Sequence, residues 1–493
     1  MRLIFKGHDY KYAAEQMLLT LFPGERPVYE GGDGSTVTLA ISRGKTWLTA
    51  TAVLDWAGKR CRASARAEAA QLNGEPLNDD RVRQRILKLA FYRAGTAALG
   101  REPPWGAMTG VRPVKIPAKA MAHGATEAEA EAVLREVYRV SPSRRRLAMD
   151  CAKASLAARA SLKRDEISLY IGIPFCPTRC AYCSFVSADV GRSLKLVEPF
   201  LELLCREIAD AGTVLRRLGL SVRTVYIGGG TPTTLTAAQL SDLLEQLERY
   251  VDLSRCSEFT VEAGRPDTIT AEKLCALRAH GVDRVSVNPQ SMSDAVLAAM
   301  GRAHTAGDVL RAWELVCAAG FSCVNMDLIA GLPADTASGF RASLDQVMSL
   351  GPENITVHTL ALKKGSRLML EGGALPAGEE VHAMLDYAWE TLGDGGYVPY
   401  YLYRQKYMSG SFENVGWSRP GFENLYNLCM MEELHSVLAL GGGGVTKLVD
   451  ARGGRIVRIA NPKYPYEYLN SGEKLDAKWD KMTAFQAEVG KER

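Results

Sequence analysis

A chain of 493 residues is too long for one ordinary hydrophobic core, and this length predicts two or three domains. Apolar residues make up 47% and charged residues 24%, which is the balance of a globular protein that keeps its surface in water. The net charge of +4 is not concentrated in any run of Lys and Arg, so we expect no nucleic acid or anionic membrane as partner. No apolar stretch is long enough for a signal peptide or a membrane span, and we therefore expect a cytoplasmic protein.

The first predicted domain covers residues 1–160. It opens with two stretches of alternating apolar and polar residues, 35–42 and 45–52, which indicate a hairpin of half-buried antiparallel strands. Helical patterns follow, notably in the Ala- and Glu-rich residues 126–140. The region predicts an α+β domain, and no pattern within it indicates an activity.

In the second predicted domain, residues 161–395, short β-branched runs alternate with longer helical ones. The predicted strands are Ile167–Ile173, Thr224–Ile227, Glu258–Glu262, Arg284–Val287, Val324–Ile329 and Ile355–His358. The helices between them are Leu196–Leu218, Ala237–Tyr250, Ala271–Ala279, Gly307–Ala319 and Ala337–Ser349. This alternation indicates parallel strands with helical crossovers, and six such units predict a partial (β/α)6 barrel of the α/β class. Residues 396–493 lack the alternation and predict a small C-terminal lobe that covers the substrate at the barrel mouth.

Three of the eleven cysteines are clustered. Cys176, Cys180 and Cys183 follow the first barrel strand with the spacing Cys-x3-Cys-x2-Cys. Thiolates are natural ligands of iron–sulfur clusters, and a short loop brings three of them around one cubane. Three ligands leave one iron of a 4Fe-4S cluster open for a substrate to bind. The remaining cysteines stand singly, as buried hydrophobes do in a reducing compartment.

A zinc site is the alternative for this trio. Zinc sites usually close with a fourth ligand near in sequence, whereas the next cysteine is Cys205 and no histidine lies close. Pro174 and Pro177 stiffen the loop, and the aromatic residues around them shield it from water. These features favour a low-potential cluster over a surface zinc ion.

Residues 170–185, YIGIPFCPTRCAYCSF, resemble the oxygen-independent coproporphyrinogen III oxidase family of radical S-adenosylmethionine enzymes. Motifs of that family recur through most of residues 165–370, and residues 105–113, WGAMTGVRP, are similar to its longer coproporphyrinogen dehydrogenase branch. The resemblance implies that the three cysteines hold a 4Fe-4S cluster that cleaves S-adenosylmethionine. It also implies an electron-donor protein such as flavodoxin or ferredoxin.

The resemblance places S-adenosylmethionine contacts on successive barrel strands. Residues 228–233, GGGTPT, allow close approach of backbone to a ligand, although a tight turn explains a lone triple glycine equally well. Glu262 ends the third strand, where binding groups of a barrel collect, and Asp327 lies in an apolar run, where an unpaired carboxylate is costly. Tyr170 is also the candidate catalytic residue, with an ordinary core role as the alternative. The positions that match the family's cofactor contacts are Tyr170, Tyr182, Gly229, Gly230, Thr231, Glu262, Gln290, Arg302 and Asp327.

By resemblance, the substrate is coproporphyrinogen III or another tetrapyrrole. A 5′-deoxyadenosyl radical removes hydrogen from a propionate, which loses carbon dioxide and becomes a vinyl group, and two rounds give protoporphyrinogen IX for haem biosynthesis. A tetracarboxylate should meet cations, although surface snorkelling explains each candidate equally well. These candidates are Lys363, Lys364, Arg367, Arg404 and Lys406.

Two positions depart from the family pattern. Gly172 stands where the oxidases have a histidine, and Phe185 stands where they have a fourth cysteine. Residues 184–185 are instead similar to relatives thought to carry haem. Two alternatives therefore stay open, a radical enzyme acting on another tetrapyrrole (a methyltransferase or ring-opening enzyme) and a haem chaperone. The chaperone would take an axial ligand from His358, His382 or His435.

Overall fold

The computed structural model describes residues 1–31, 34–183, 188–361, 366–371, 375–405, 412–450 and 454–491. The chain forms two compact units. One comprises Met1–Lys153 with Leu402–Glu413, and the other comprises Ala154–Tyr401 with Asn414–Arg493. Within the described residues, no helix combines the length and apolar character needed to cross a membrane. The division into three domains stays a prediction.

The first unit is built on a four-stranded sheet with the order β1-β2-β3-β4, whose apolar face packs on two helices. Strand β1 is parallel to β2, and the remaining pairs are antiparallel, so the predicted hairpin is present. Alternation of buried and exposed side chains along β3 explains why one face binds the helices and the other meets water. The elements in this part of the chain are β1 (Arg2–Lys6), α1 (Lys11–Leu21), β2 (Thr36–Arg43), β3 (Trp47–Trp56), β4 (Lys59–Glu68), α2 (Pro76–Leu99), α3 (Lys115–Ala122), α4 (Glu127–Ala132) and α5 (Pro142–Ser161).

The second unit contains the strand–helix alternation that the sequence predicts. In chain order, the elements of this alternating region are β5 (Glu166–Ile173), β6 (Phe175–Cys176), β7 (Ala188–Asp189), α6 (Val190–Ser193), α7 (Val197–Leu218), β8 (Ser221–Gly229), α8 (Ala237–Tyr250), β9 (Glu258–Glu262), α9 (Ala271–Ala279), β10 (Arg284–Ser286), α10 (Asp294–Ala299), α11 (Ala306–Ala319), β11 (Cys323–Ala330), α12 (Ala337–Leu350), β12 (Asn354–Thr359), α13 (Arg367–Glu371) and α14 (Gly378–Asp394). Strands β5, β8, β9, β10, β11 and β12 lie side by side in that order and are all parallel. The predicted partial (β/α)6 barrel is confirmed.

The C-terminal region extends the same sheet, which is open rather than closed. Its elements are β13 (Val398–Arg404), β14 (Glu413–Ser418), α15 (Leu425–Glu432), β15 (Val437–Gly441), β16 (Val445–Val449), β17 (Ile456–Ala460), α16 (Pro465–Leu469) and α17 (Gly472–Lys491). Strand β15 pairs parallel with β5, and β14 pairs antiparallel with β12. Both edges of the six-stranded core are thereby covered, which satisfies backbone groups that an edge strand leaves unpaired.

The inner face of the barrel carries two polar layers, because residues two or four positions apart on a strand share a face. The floor layer lies at the amino ends of the strands and consists of Glu258, Arg284 and Asn354. The mouth layer lies nearer the carboxyl ends and consists of Glu262, Asp327 and His358.

The beginning of α15 closes the floor. Buried Glu258 accepts hydrogen bonds from the backbone N–H of Leu425 at 2.7 Å and of Tyr426 at 2.9 Å. Asn424 caps the same helix, because its side-chain oxygen accepts from the N–H of Asn427 at 2.7 Å. Two orphan donors of the helix N-terminus therefore end on a carboxylate, which also interacts favourably with the helix dipole.

The rest of the floor layer holds the chain just before this helix. Arg284 and Asn354 both donate to the carbonyl oxygen of Phe422, at 2.8 Å and 2.9 Å. The Arg284 guanidinium also hydrogen-bonds the Asn354 side-chain oxygen and lies 3.9 Å from the Glu258 carboxylate. Residues 422–426 thus seal the amino ends of the strands, opposite the cysteine loop.

Candidate active site at the barrel mouth

The three clustered cysteines lie on the loop that leaves β5. Cys176 Sγ accepts a hydrogen bond from Thr231 Oγ1 at 3.5 Å, and the N–H of Cys183 bonds the carbonyl oxygen of Cys180 at 3.2 Å. Among the described residues, no three His, Cys, Asp or Glu side chains are grouped to hold a single metal ion. The donor set is nevertheless three thiols on one short loop, which is the chemistry an iron–sulfur cluster requires.

Arg265 supports this loop, and sequence analysis missed it. Its guanidinium donates to Thr178 Oγ1 at 3.0 Å and to Cys180 Sγ at 3.9 Å. Both oxygens of Asp267 hold the guanidinium, each at 3.0 Å. A buried, bidentate arginine beside a thiol stabilises negative charge on sulfur and fixes the loop. The available signal was a cation three residues after Glu262, at the end of a predicted barrel strand.

The glycine turn after β8 clamps the cysteine loop. The N–H of Gly230 donates to the carbonyl oxygen of Ile173, and the N–H of Thr231 donates to that of Phe175, both at 2.7 Å. A Cβ on Gly230 would lie 2.4 Å from the Phe175 oxygen, so only glycine fits there. The predicted close approach at this turn is therefore to the backbone that carries the cysteines. Gly229 has φ +109°, which also favours glycine.

Glu262 is the first carboxylate of the mouth layer. It accepts a hydrogen bond from Tyr226 Oη at 2.6 Å. Burial, together with the charge of Asp327, raises the pKa of Glu262 to about 7, against the opposing effects of Tyr226, a backbone N–H and His358. A Cβ on Gly228 would lie 2.9 Å from the Glu262 carboxyl carbon, so the glycine leaves room for this side chain.

Asp327 is the second carboxylate and has the opposite tendency. Its Oδ1 accepts from Asn325 Nδ2 at 2.7 Å, and its Oδ2 lies 3.6 Å from His358 Nε2. Burial acts to raise the pKa of Asp327, but the neighbouring His358, the hydrogen bond from Asn325 and the nearby Thr356 hydroxyl hold it below its ordinary value. Asp327 is therefore the ionised carboxylate of the pair at neutral pH.

Gln290 brings an unsatisfied acceptor to the same place. Its backbone N–H donates to the carbonyl oxygen of Asp327 at 2.9 Å, which fixes the residue in the left-handed region at φ +68°. The side-chain oxygen of Gln290 is buried and has no hydrogen-bond partner among the described residues. Such an acceptor is costly unless a ligand donates to it, so it fits a molecule bearing hydroxyl or amino groups.

Arg302 and Tyr182 lie beside the cysteine loop. Arg302 donates to the carbonyl oxygen of Asn288 at 2.8 Å. Burial acts to lower the pKa of Arg302, yet the neighbouring Tyr182 phenol and Cys180 thiol raise it above its ordinary value. Burial raises the pKa of Tyr182 in turn. The structure thus brings both predicted residues to the cluster side of the mouth.

Three tyrosine rings stack below the mouth layer. The rings of Tyr226 and Tyr426 lie 4.4 Å apart at 20°, and the ring of Tyr170 lies 6.3 Å from each of them. Tyr226 pairs opposite Thr260, so this stack lies between Glu258 and Glu262 along the barrel. Burial and the charge of Glu262 raise the pKa of Tyr170. Sequence analysis missed Tyr426, because α15 lies far from the barrel strands in the chain.

The cationic residues predicted to contact the substrate lie in different surroundings. Arg367 is exposed, while Arg404 is buried in the first unit, where it donates to the carbonyl oxygen of Met108 at 2.6 Å and lies over the Trp105 ring at 5.5 Å. Burial lowers the pKa of Arg404 to about 10. We therefore remove Arg404 from the substrate contacts, and its contacts give the WGAMTGVRP segment a structural role. The predicted residues that lie outside the described part of the chain are Lys363, Lys364, Lys406 and Phe185.

Gly172 is enclosed by the end of β15. A Cβ at this position would lie 2.5 Å from the carbonyl oxygen of Gly442, and a Cβ on Gly441 would lie 2.3 Å from the oxygen of Gly172. Backbone atoms on both sides cannot move aside as a side chain can. The sheet extension through β15 therefore explains physically why a histidine does not stand here.

The sequence profile described as the Radical SAM superfamily matches residues 170–347. A Bacillus subtilis (strain 168) protein named oxygen-independent coproporphyrinogen-III oxidase-like protein HemZ is 41% identical over 377 residues, which cover 76% of this chain and 75% of that protein. The chain belongs to the radical SAM superfamily and, within it, to the oxygen-independent coproporphyrinogen-III oxidase-like family. As a member of the radical SAM superfamily, it uses a 4Fe-4S cluster and S-adenosylmethionine.

Two further comparisons place this radical SAM protein among its relatives. Heme chaperone HemW of Haemophilus influenzae is 29% identical over 318 residues, which cover 64% of this chain and 78% of that protein. The crystal structure of coproporphyrinogen III oxidase (HemN) from Escherichia coli superposes with a TM-score of 0.53 at 23% identity, covering 65% of this chain and 72% of that chain. This likeness supports the fold and leaves the substrate to other arguments.

The mouth of the radical SAM barrel fits these cofactors. The Cys176 thiol faces the Thr231 hydroxyl and the Cys180 thiol faces the Arg265 guanidinium, which suits a cluster with negatively charged sulfurs. The partnerless acceptor of Gln290 and the carboxylates Glu262 and Asp327 suit the amino and hydroxyl groups of S-adenosylmethionine. The assignment of individual cofactor contacts stays a prediction.

Proposed function

We propose that this protein catalyses the oxygen-independent oxidative decarboxylation of coproporphyrinogen III to protoporphyrinogen IX. The observation that carries the proposal is the 41% identity, over three quarters of both chains, to a protein named as coproporphyrinogen-III oxidase-like. A mouth layer with complementary groups for S-adenosylmethionine supports it, as does the tyrosine stack beside that layer. An electron-donor protein such as flavodoxin or ferredoxin and a cytoplasmic location remain part of the proposal.

In this mechanism the residues of the chain bind and orient. Cys176, Cys180 and Cys183 hold the cluster, and Arg265 fixes their loop. When bound, the cluster and S-adenosylmethionine would supply the radical chemistry that abstracts hydrogen from the substrate. Glu262, Asp327 and Gln290 orient S-adenosylmethionine through its amino and hydroxyl groups.

The remaining groups close the site from below. The rings of Tyr170, Tyr226 and Tyr426 stack on one another below the mouth layer, and the sealed floor excludes water from that side. Exclusion of water protects a radical from side reactions.

The proposal is tested with the reconstituted, reduced protein under anaerobic conditions. S-adenosylmethionine and coproporphyrinogen III are added, and mass spectrometry follows 5′-deoxyadenosine and porphyrin products together. We expect vinyl products in step with the nucleoside. Nucleoside without vinyl product would contradict the decarboxylase, and S-adenosylhomocysteine would point to a methyltransferase.

A haem chaperone is the second candidate, favoured by the similarity to proteins named heme chaperone and by the position of one histidine. His358 lies in the mouth layer, whereas His435 is buried against Ser168 at 2.8 Å, and burial lowers its pKa to about 4. His358 is therefore the better-placed axial ligand of these two. Spectral titration with haem separates the candidates: tight binding lost in His358→Ala, without vinyl product in the wild type, would favour the chaperone.

A further inference from the structure

His358 is a mouth-layer residue to which the proposed cofactor contacts assign no role. It lies on β12, and its Nε2 is 3.6 Å from Oδ2 of Asp327 on the neighbouring strand β11. The side chains are only partly exposed, 28% for the histidine and 16% for the aspartate. The imidazole therefore interacts with the carboxylate at the edge of the cavity, where water screens the pair incompletely.

The other oxygen of the same carboxylate is fixed by a hydrogen-bonded chain. Asn325 Nδ2 donates to Asp327 Oδ1 at 2.7 Å and to Ser286 Oγ at 3.0 Å. The Asn325 oxygen accepts from Thr356 Oγ1 at 3.0 Å. Because Asn325 is held on three sides, one edge of the Asp327 carboxylate is locked and its second oxygen faces His358.

We propose that His358 is a positioning residue for S-adenosylmethionine, which orients the Asp327 carboxylate so that it can accept hydrogen bonds from the ribose hydroxyls. This inference rests on the proposed role of Asp327 in cofactor binding. Metal and cofactor sites commonly use such an outer partner to hold the group that makes the contact. His358 acts through Asp327 and touches no reacting atom.

The charges around the pair explain why a partner is needed. Glu262, Asp327, Tyr226 and His358 face one another across β8, β9, β11 and β12, and the charge of Asp327 disfavours ionisation of Glu262. The His358 imidazole favours the ionised form of both carboxylates. Without His358, the second oxygen of Asp327 loses the partner that faces it, and the carboxylate is held at one edge only, by Asn325.

A double-mutant cycle read out by cofactor binding tests this role. Dissociation constants for S-adenosylmethionine are measured by anaerobic equilibrium dialysis on reconstituted wild type, His358→Phe, Asp327→Asn and the double variant. We expect His358→Phe to weaken binding about tenfold, as the loss of one close interaction with a charged group does. In the Asp327→Asn background the same change should weaken binding less than about twofold, because its effect passes through the carboxylate.

A conservative variant and a matched control separate positioning from packing. His358→Gln keeps an N–H donor and should restore affinity to within about threefold of wild type. His280, directly after α9, forms a second histidine–carboxylate pair with Glu248 of α8 at 3.1 Å. The control variant His280→Phe breaks this pair and should leave the affinity for S-adenosylmethionine unchanged. Iron content and the thermal unfolding midpoint of every variant verify that cluster and fold are intact.

Three results would overturn the inference. They are unchanged affinity in His358→Phe, no rescue by glutamine, or an equal loss of affinity in the wild-type and Asp327→Asn backgrounds. None of them concerns coproporphyrinogen III, since binding is measured without substrate. Conversely, a protein that obeys the cycle but makes no vinyl product would retain this inference and lose the proposed function.

Discussion

The floor and the mouth of the barrel contain similar side chains, yet the chain uses them differently. Glu258 and Glu262 lie on the same strand and the same face, and burial raises the pKa of both carboxyl groups. The floor carboxylate receives two backbone N–H groups and lies 3.9 Å from Arg284. The mouth carboxylate receives the Tyr226 hydroxyl and faces a second carboxylate.

This difference distinguishes a structural from a functional polar group. At the floor, residues 422–426 supply the partners, so the polar groups stabilise a closed end of the barrel. At the mouth, Gln290 has a buried oxygen with no partner among the described residues, and the carboxylates retain acceptor capacity. A native structure keeps such unsatisfied groups mainly where a ligand completes them.

The largest expected effect is loss of the cluster at the mouth of the barrel, which leaves the floor intact. Cys176→Ala removes one of three cluster ligands, so we expect the iron content to collapse and cleavage of S-adenosylmethionine to fall at least a thousandfold. Cys275→Ala, at an exposed position on α9, is the matched control and should retain both. Iron analysis and 5′-deoxyadenosine release measure the effect, and a variant that still cleaves the cofactor would disprove the ligand assignment.

The next largest effect is a loss of stability where β15 pairs with β5. Gly172→Ala places a Cβ 2.5 Å from the carbonyl oxygen of Gly442, so we expect the free energy of unfolding to fall by about 2 kcal/mol. Gly393→Ala has open space in the helix α14 and should gain up to about 1 kcal/mol. Urea unfolding measures both variants, and equal stabilities would mean that the backbone at the end of β15 moves to accommodate the added Cβ.

The smallest expected effect is the pH dependence of S-adenosylmethionine affinity that Glu262 produces at the mouth. The pKa of free Glu262 is about 7 because burial disfavours its charge, so the residue is neutral below that pH and ionised above it. S-adenosylmethionine is a sulfonium cation, and its affinity should fall by up to tenfold for each pH unit below about 7. Equilibrium dialysis from pH 6 to 8.5 measures this slope, which Glu262→Gln should flatten. Burial raises the pKa of Tyr226 well above this range, and the pKa of Asp327 lies below its ordinary value, so a slope that persists in Glu262→Gln would contradict its assignment to Glu262.

The sequence predicted the six barrel strands because each is a short β-branched run between long helical patterns. It also predicted Glu262 and Asp327, which lie on those strands, and Gln290, which follows one of them, and the structure brings all three to the mouth. It did not predict Tyr426, since contacts of α15 with the floor layer, which is distant in sequence, bring that ring under the mouth. Such residues depend on packing between distant segments, which local pattern does not encode.

Arg404 is a second residue whose contacts could not be predicted from the local sequence. Its surroundings in sequence, aromatic residues and a nearby lysine, are typical of a ligand-binding cation, yet the guanidinium is buried against Met108 and Trp105. Gly230 was predicted as a cofactor contact, and the structure explains its identity by the approach of the cysteine loop. In both cases the residue type was informative, and the partner was set by tertiary structure.

The most direct test of the account compares S-adenosylmethionine affinity in Glu262→Gln and Glu258→Gln, both reconstituted anaerobically and measured at pH 8. We expect Glu262→Gln to weaken binding at least tenfold while its free energy of unfolding changes by less than about 0.5 kcal/mol, since glutamine still accepts from Tyr226. Glu258→Gln should lose about 2 kcal/mol of stability, because Arg284 and a backbone N–H lose their partner, yet bind the cofactor like wild type when folded. The reverse pattern, or weak binding in both, would contradict the division of the barrel into a structural floor and a cofactor-binding mouth.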